Sequence, residues 1–302
     1  MSTKINYMNT DITFAYFGGE PLGTPVLEEL KKVGLLPSLI VCNPDRPVGR
    51  TQELTAPPLK VWAEKEGIEV FQPTSYKNQA ELQRLTEQDW DVFVVVAYNF
   101  ILPKWFLELP KKGVLNVHPS LLPSLRGASP IRTAIKDNLV HDIGVTVMLL
   151  DEEMDHGPIL EQEHFAPNAN KWPLPGPLLD EFLAKMGGRL LADVLPAWVN
   201  DELLPQEQDH EMATYCGKLT KQDRELNITP LKLPVGKYAT ICWHTIQAFE
   251  GIGQTFFIHN EKRVKITKAE LTNGGSLRLL RVVPEGKAEM DFSQYLQSIE
   301  LH

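Results

Sequence analysis

Residues 91–97, DVFVVVA, set the tightest limit on what this chain can fold into. An unbroken run of β-branched and aromatic side chains cannot alternate between a wet face and a dry one. Such a run reads as a parallel strand covered on both faces, which requires crossover helices above and below a sheet. The sequence around it supplies them. Residues 12–17 are a short apolar run closed by Gly18-Gly19, and Pro25 starts a helical pattern through Val26, Leu27 and Leu30. Residues 39–42 read as a second strand, and Pro57-Pro58 opens a helix with Leu59, Val61 and Trp62 that closes at Gly67. Strand and helix alternate as far as Leu150, which predicts an α/β fold with a doubly wound parallel sheet.

A chain of 302 residues is long enough for two cores. A long helical pattern over 178–199 is followed by a polar stretch at 206–211, so the boundary is placed there, giving domains 1–205 and 206–302. Beyond it, residues 239–243, 254–258, 263–267 and 276–283 read as short strands separated by turns such as Asn273-Gly274-Gly275. They predict a smaller β-rich domain built as a partial, open barrel. The N-terminal residues lack the basic and apolar regions of a secretory signal, and the longest apolar run, 92–102, is too short to span a bilayer. Cys42, Cys216 and Cys242 fit neither a disulfide framework nor a zinc spacing, so a cytoplasmic protein is expected. The net charge of −9 speaks against a large polyanionic partner, but its distribution qualifies that. From Gln206 onward 12 Lys+Arg balance 12 Asp+Glu, so the 30 and 39 of the whole chain leave 18 against 27 before it.

Chemistry is concentrated between Gly113 and Asp155. An apolar strand carries Asn116 and His118 into a loop that Pro119, Pro123 and Gly127 make irregular, and a second strand over 143–150 runs on to Asp155. Acyl transfer to an amine needs a donor for the growing charge on the carbonyl oxygen and an acceptor for the proton of the amine. An Asn amide, a His held beside a carboxylate and the carboxylate itself meet those needs if the two strands lie side by side. A second reading has Asn116 capping a loop, His118 satisfied at a strand end and Asp155 capping a turn before Gly157; spacing alone leaves both open.

Other signals are weaker. FGGEPLGT lacks the G-x-G-x-x-G spacing of a dinucleotide site, and Ser120 and Ser129 lack a nucleophile elbow. His118, His141 and His156 lack a metal-ligand spacing, so no metal is expected. Arg46 and Arg50 flank a Pro-Val-Gly turn and are candidate phosphate contacts, with a solvated turn as the alternative.

NPDRPVGR, LTAPPLK, FQPTSYK, VVVAYNFILPK, NVHPSLLPSLRGASPI, GVTVMLLDEEMDHGPIL and ATYCGKLTKQD occur in this order. Together they resemble the successive motifs of the methionyl-tRNA formyltransferases, within the wider 10-formyltetrahydrofolate-dependent transferases. The resemblance covers almost the whole chain. It implies a formyltransferase domain followed by a tRNA-binding domain similar to an oligonucleotide-binding barrel. It implies formyl transfer from 10-formyltetrahydrofolate to the methionine of initiator methionyl-tRNA. A monomer is consistent with one substrate per site, and the short apolar runs predict no membrane association. Asn116, His118 and Asp155 then carry catalysis. Folate lies against Phe100, Ile101, Leu102, Ser120, Leu121, Leu122, Pro123, Leu150, Asp151 and Met154, and Arg46, Arg50, Lys218 and Lys221 meet the tRNA. Thr51-Gln52-Glu53 and Ser124-Leu125 depart from the basic residues of the family at those places. They keep a second acceptor in view, a nucleotide-linked amino sugar.

Overall fold

The computed structural model describes residues 12–49 and 52–300. Contacts divide the chain into two units. The first runs through Arg126 and takes in Gly144–Phe165 and Asp180–Thr214; the second holds Gly127–Ile143, Ala166–Leu179 and the chain from Tyr215 on. Residues 206–214, set down from sequence as the start of the second domain, fall with the first unit.

In chain order the elements of the first part are β1 (Phe14–Gly18), α1 (Gly23–Lys32), β2 (Leu39–Cys42), β3 (Arg46–Val48), β4 (Glu53–Thr55), α2 (Pro58–Glu66) and β5 (Glu69–Phe71). Next come α3 (Gln83–Thr86), β6 (Val92–Val96), α4 (Lys104–Leu107), β7 (Val114–His118), β8 (Arg126–Gly127), α5 (Pro130–Lys136), β9 (Gly144–Leu149), β10 (Ile159–His164) and α6 (Gly176–Val199). The main sheet has the order β10-β9-β7-β6-β1-β2-β5. The strands from β5 to β7 are parallel, whereas β9 and β10 are antiparallel additions at one edge. The DVFVVVA run is β6, between β1 and β7 and buried along its length, as a strand covered on both faces must be.

Register assigns each side chain to a face. Phe93 and Val95 of β6 lie level with Val114 and Asn116 of β7 and with Ala15 and Phe17 of β1. This face carries an aromatic core in which Phe17, Phe93, Phe106, Tyr76 and Trp90 meet mostly edge to face. Each such buried ring contributes about 1.5–3 kcal/mol through removal from water. On the opposite face Gly187 of α6 crosses β7 and β9 so closely that a β-carbon there would lie 2.7 Å from Val117 Cγ1.

The second unit corrects one reading. Residues 239–243 lie inside a helix, α7 (Gly236–Phe249), although Thr240, Ile241 and Trp243 favour strands. Packing overrides propensity here: Ala239, Cys242 and Phe249 are buried at helical spacing, and Ala239 and Cys242 join the core of the unit with Val264, Ile266, Leu277 and Leu279. The remaining elements are β11 (Tyr215–Cys216), β12 (Phe256–His259), β13 (Lys262–Leu271), β14 (Leu277–Pro284), β15 (Met290–Asp291) and α8 (Phe292–Glu300). Strands β12 to β15 form a four-stranded antiparallel sheet.

Candidate active site

Asn116 and His118 are two residues apart on β7, so both project from the aromatic face of the sheet, next to Val95. They are 8% and 4% exposed. Among the described residues the amide of Asn116 has no hydrogen-bonding partner. Asp155 reaches them by a route that differs from the expected one. Strand β9 is antiparallel to β7, with His118 level with Thr146 and Leu115 level with Leu149, so the two strands end at opposite edges of the sheet. The segment after β9 must therefore double back to bring Asp155 Oδ1 within 3.5 Å of His118 Nδ1.

The backbone of that segment is built for a sharp return. Asp155 has φ 51°, a left-handed conformation that Asp tolerates better than most residues. Two residues on, a β-carbon at Gly157 would sit 2.1 Å from Leu149 O. Leu149 N donates to Pro158 O at 2.9 Å and ties the return to its own strand.

The tautomer of His118 follows from its partners. Nε2 lies 3.0 Å from Leu125 O, and a carbonyl only accepts, so Nε2 carries a hydrogen and Nδ1 is the nitrogen facing the carboxylate. Leu125 has φ 60° and is 2% exposed, and its N–H donates to Thr214 Oγ1 at 2.8 Å. Other bonds hold the same loop: Ser120 Oγ donates to Ser124 O, Thr146 Oγ1 to Ser120 O, and Leu122 N to Thr146 Oγ1.

Residues that sequence reasoning passed over hold the Asp155 loop. Gln208 Nε2 donates to Asp155 O at 2.9 Å and to Gly157 O at 2.7 Å, and its Oε1 accepts from Arg126 Nε and Nη2. Arg126 is 1% exposed and also donates to His210 Nδ1 at 2.8 Å. The His210 ring stacks on His156 at 4.0 Å, and His156 Nδ1 lies 2.6 Å from Asp151 Oδ2. An arginine in front of Gly127 was the one available signal, since charge in an apolar loop needs buried acceptors.

The expected folate residues stand in different surroundings. Phe100, Leu102 and Leu150 pack against the aromatic core, while Ile101 and Met154 stand 91% and 62% exposed. Leu150 and Asp151, with Lys104, Leu107, Glu108, Glu152 and Glu153, line an open groove of about 400 Å³. The side chains of Ser120 and Leu122 are buried, and Leu121 and Pro123 are half-buried. Tyr76 and Tyr98 share a 2.8 Å hydroxyl contact behind Phe100, and burial pushes both phenols above their ordinary range.

Arg46 is exposed on the β3–β4 hairpin, and Arg50 lies outside the described residues. The foot of the hairpin is anchored by Lys60 Nζ on Asp45 at 2.8 Å and by Gln72 on Asp45 and on Asn43 O. The Lys60 bond, then that of Gln72, holds the Asp45 carboxyl below its usual range. Lys218 and Lys221 are exposed in the second unit. Among the described residues no group of three His, Cys, Asp or Glu could hold a metal, and no helix is long and apolar enough to cross a membrane.

The formyl transferase family model matches residues 11–169, a span that contains the whole Asn116, His118 and Asp155 constellation. A methionyl-tRNA formyltransferase of Legionella pneumophila (strain Paris) is 35% identical over 263 residues, covering 87% of this chain and 80% of its own. The fold is similar to that of an N-formyltransferase from Helicobacter canadensis, solved with folinic acid and dTDP-3-aminofucose, with a TM-score of 0.61 at 19% identity over 89% of this chain and 98% of that one. It is also similar to a methionyl-tRNA formyltransferase from Clostridium thermocellum, with a TM-score of 0.54 at 13% identity over 93% and 100%. On the match over more than half its length and the Legionella relative, the chain belongs to the formyl transferases and, among them, to the methionyl-tRNA formyltransferase family.

Proposed function

We propose that this protein transfers the formyl group of 10-formyltetrahydrofolate to the α-amine of methionine on initiator tRNA. The observation that carries the mechanism is the placing of an uncommitted amide and an imidazole on one sheet face with a carboxylate 3.5 Å from the ring. Folate, when bound, would supply the formyl carbon, with the nitrogen that carries it as the leaving group. The residues present fit such a group, because the Asn116 amide has a free donor and exposed Ile101 and Met154 stand on the loops where the resemblance places a flat ring.

The amine is neutral when it attacks, so no covalent enzyme intermediate is needed. As the new C–N bond forms, negative charge grows on the formyl oxygen. Asn116 donates its N–H to that oxygen, and His118, protonated on Nδ1 as well as Nε2, donates the second hydrogen bond. Asp155 keeps the imidazolium in place and accepts the amine proton, directly or through one water. It returns the proton to the folate nitrogen as the old C–N bond breaks. The gap of 3.5 Å is longer than a charge-assisted hydrogen bond, which leaves Nδ1–H room to be shared with substrate. Arg46, Arg50, Lys218 and Lys221 take phosphates of the tRNA, the chain from Tyr215 on contributes the tRNA-binding domain, and the enzyme works as a cytoplasmic monomer.

The purified protein, mixed with 10-formyltetrahydrofolate and charged initiator tRNA, is expected to yield formyl-methionyl-tRNA. No product above background from folded, folate-binding protein would sink the proposal. Formylation of a nucleotide-linked amino sugar in place of the charged tRNA would move the enzyme to the other acceptor.

A further inference from the structure

We infer that residues 206–214, at first sight a polar linker, are part of the catalytic apparatus: Thr214 positions His118 and Gln208 positions Asp155. The inference rests on the roles proposed for those two residues. It is carried by four placements. Gln206 pairs with Ile159 in both directions at 2.8 Å, which fixes the segment against the strand that follows the Asp155 loop. Gln208 then bridges the backbone carbonyls of Asp155 and Gly157, the two residues on either side of His156. Arg126 orients the Gln208 amide: its guanidinium occupies Oε1, so Nε2 must face the loop carbonyls. Finally, Thr214 Oγ1 accepts the N–H of Leu125, whose carbonyl is the partner of His118 Nε2. Thr214 also receives Arg126 N on its carbonyl and gives its own N–H to Pro123 O, so it is held from both sides.

These contacts act on positions that the local backbone does not favour. Asp155 and Leu125 both have positive φ, at 51° and 60°. A conformation of that kind persists only where neighbours enforce it, and residues 206–214 supply enforcing bonds to both loops. The segment therefore couples the carboxylate to the imidazole, and a slack at either contact widens the Nδ1 to Oδ1 gap. Neither Gln208 nor Thr214 touches the reacting atoms; each acts through another residue.

The test compares Gln208→Glu, Thr214→Val, Thr214→Ser and Asp155→Ala in the full chain. Gln208→Glu keeps the length of the side chain and the contact with Arg126 but turns an acceptor toward two carbonyls. Thr214→Val keeps the shape and removes the oxygen that receives Leu125 N–H. A misplacement of about 1 Å costs on the order of 10²-fold in rate, so kcat is expected to fall roughly 10- to 100-fold in both. KM for folate and for tRNA should stay within about threefold, which a general loss of folded protein would also leave, so two further readouts are needed. The ring-nitrogen NMR signals of His118 should move in Thr214→Val and return in Thr214→Ser, together with the rate. Adding Gln208→Glu to Asp155→Ala should cost little more than Asp155→Ala alone, because the two act as one unit. Should Gln208→Glu fail to fold, Gln208→Met, which removes the donor without adding charge, takes its place. Rates within twofold of the parent in folded Gln208 and Thr214→Val variants, with Asp155→Ala strongly impaired, would overturn the inference and leave the assignment of Asp155 standing. An unimpaired Asp155→Ala would overturn both.

Discussion

Gly157→Ala tests whether the return of the Asp155 loop is set by close backbone packing. A β-carbon at 157 would lie 2.1 Å from Leu149 O and 3.1 Å from the carbonyl carbon of the same residue. Carbon and carbonyl oxygen settle near 3.3 Å, so the loop must withdraw by about 1 Å. Withdrawal strains the Gln208 bond to Gly157 O at 2.7 Å and the Leu149 to Pro158 bond at 2.9 Å, each worth about 0.5–1.5 kcal/mol net. Weakening each bond by about 0.5 kcal/mol, together with about 1–3 kcal/mol for overpacking, gives an expected loss of about 2–4 kcal/mol. For a unit of this size that lowers Tm by roughly 4–15 °C. The same shift carries Asp155 away from His118 and should lower kcat on the order of 10²-fold at 25 °C, where the variant remains folded. Gly67→Ala is the comparison: φ is 71° but nothing lies within 4 Å, so about 1 kcal/mol of strain and an unchanged kcat are expected. Thermal melting by circular dichroism and steady-state formylation give both numbers. A Gly157→Ala protein within about 1 °C in Tm and within twofold in kcat would refute the packing argument.

Asn116→Ala and Asp155→Ala should each lower turnover by roughly 10²- to 10⁴-fold in the formylation assay; little change in either would mean that other groups carry the chemistry. Arg46→Ala should raise KM for charged tRNA while leaving KM for folate alone, and should reduce the slope of log KM against log salt by about 1; equal slopes would remove Arg46 from the phosphate contacts. Burial pushes the Cys42 thiol up to about 11 from an ordinary 9.0, with Lys60 opposing. Below pH 9 the folded and unfolded chains both hold this proton. Between pH 9 and 11 only the unfolded chain releases it, so stability falls as pH rises, by about 3 kcal/mol at most. Urea midpoints at pH 8 and 10.5 should fall less in Cys42→Ala than in the parent, and parallel declines would contradict the assignment.

The central sheet was legible because its strands carry a local signature: DVFVVVA has one physical solution, and the helices that cover it announce themselves through Pro, Gly and apolar spacing. The helix at 236–249 was not, since Thr240, Ile241 and Trp243 point locally to a strand and only the buried spacing of Ala239, Cys242 and Phe249 argues otherwise. At the site, Asn116 and His118 could be placed on a strand by their apolar neighbours. Their meeting with Asp155 is expected if the two strands lie side by side, but its route could not be read, because the direction of β9 depends on long-range pairing, and an antiparallel partner sends its end to the far edge. Gln208 and Thr214 were hidden for a related reason. A run of Gln, Glu, Asp and His looks like solvated chain until the buried Arg126 that it answers is placed beside it.

The charge distribution bears on how such a site meets a polyanion. The chain before Gln206 carries 18 basic against 27 acidic residues, and the part after it is balanced. Part of the basic complement of the second unit is already committed, since Arg278 pairs with Glu270 and Arg281 with Glu289 and Asp291. In the first unit Lys60 is spent on Asp45 and Lys104 on Glu152. Long-range attraction therefore contributes little, so contacts at short range carry more weight, and Arg46 on its anchored hairpin is the one proposed in the first unit. Glu53, level with Val48 on the facing strand of that hairpin, lowers the local positive potential further. Under the proposed mechanism, the alignment of the methionyl amine against Asn116, His118 and Asp155 then matters more for acceptor choice than the grip on phosphate. That places weight on the rigidity of the Asp155 return, and on the segment 206–214 that enforces it.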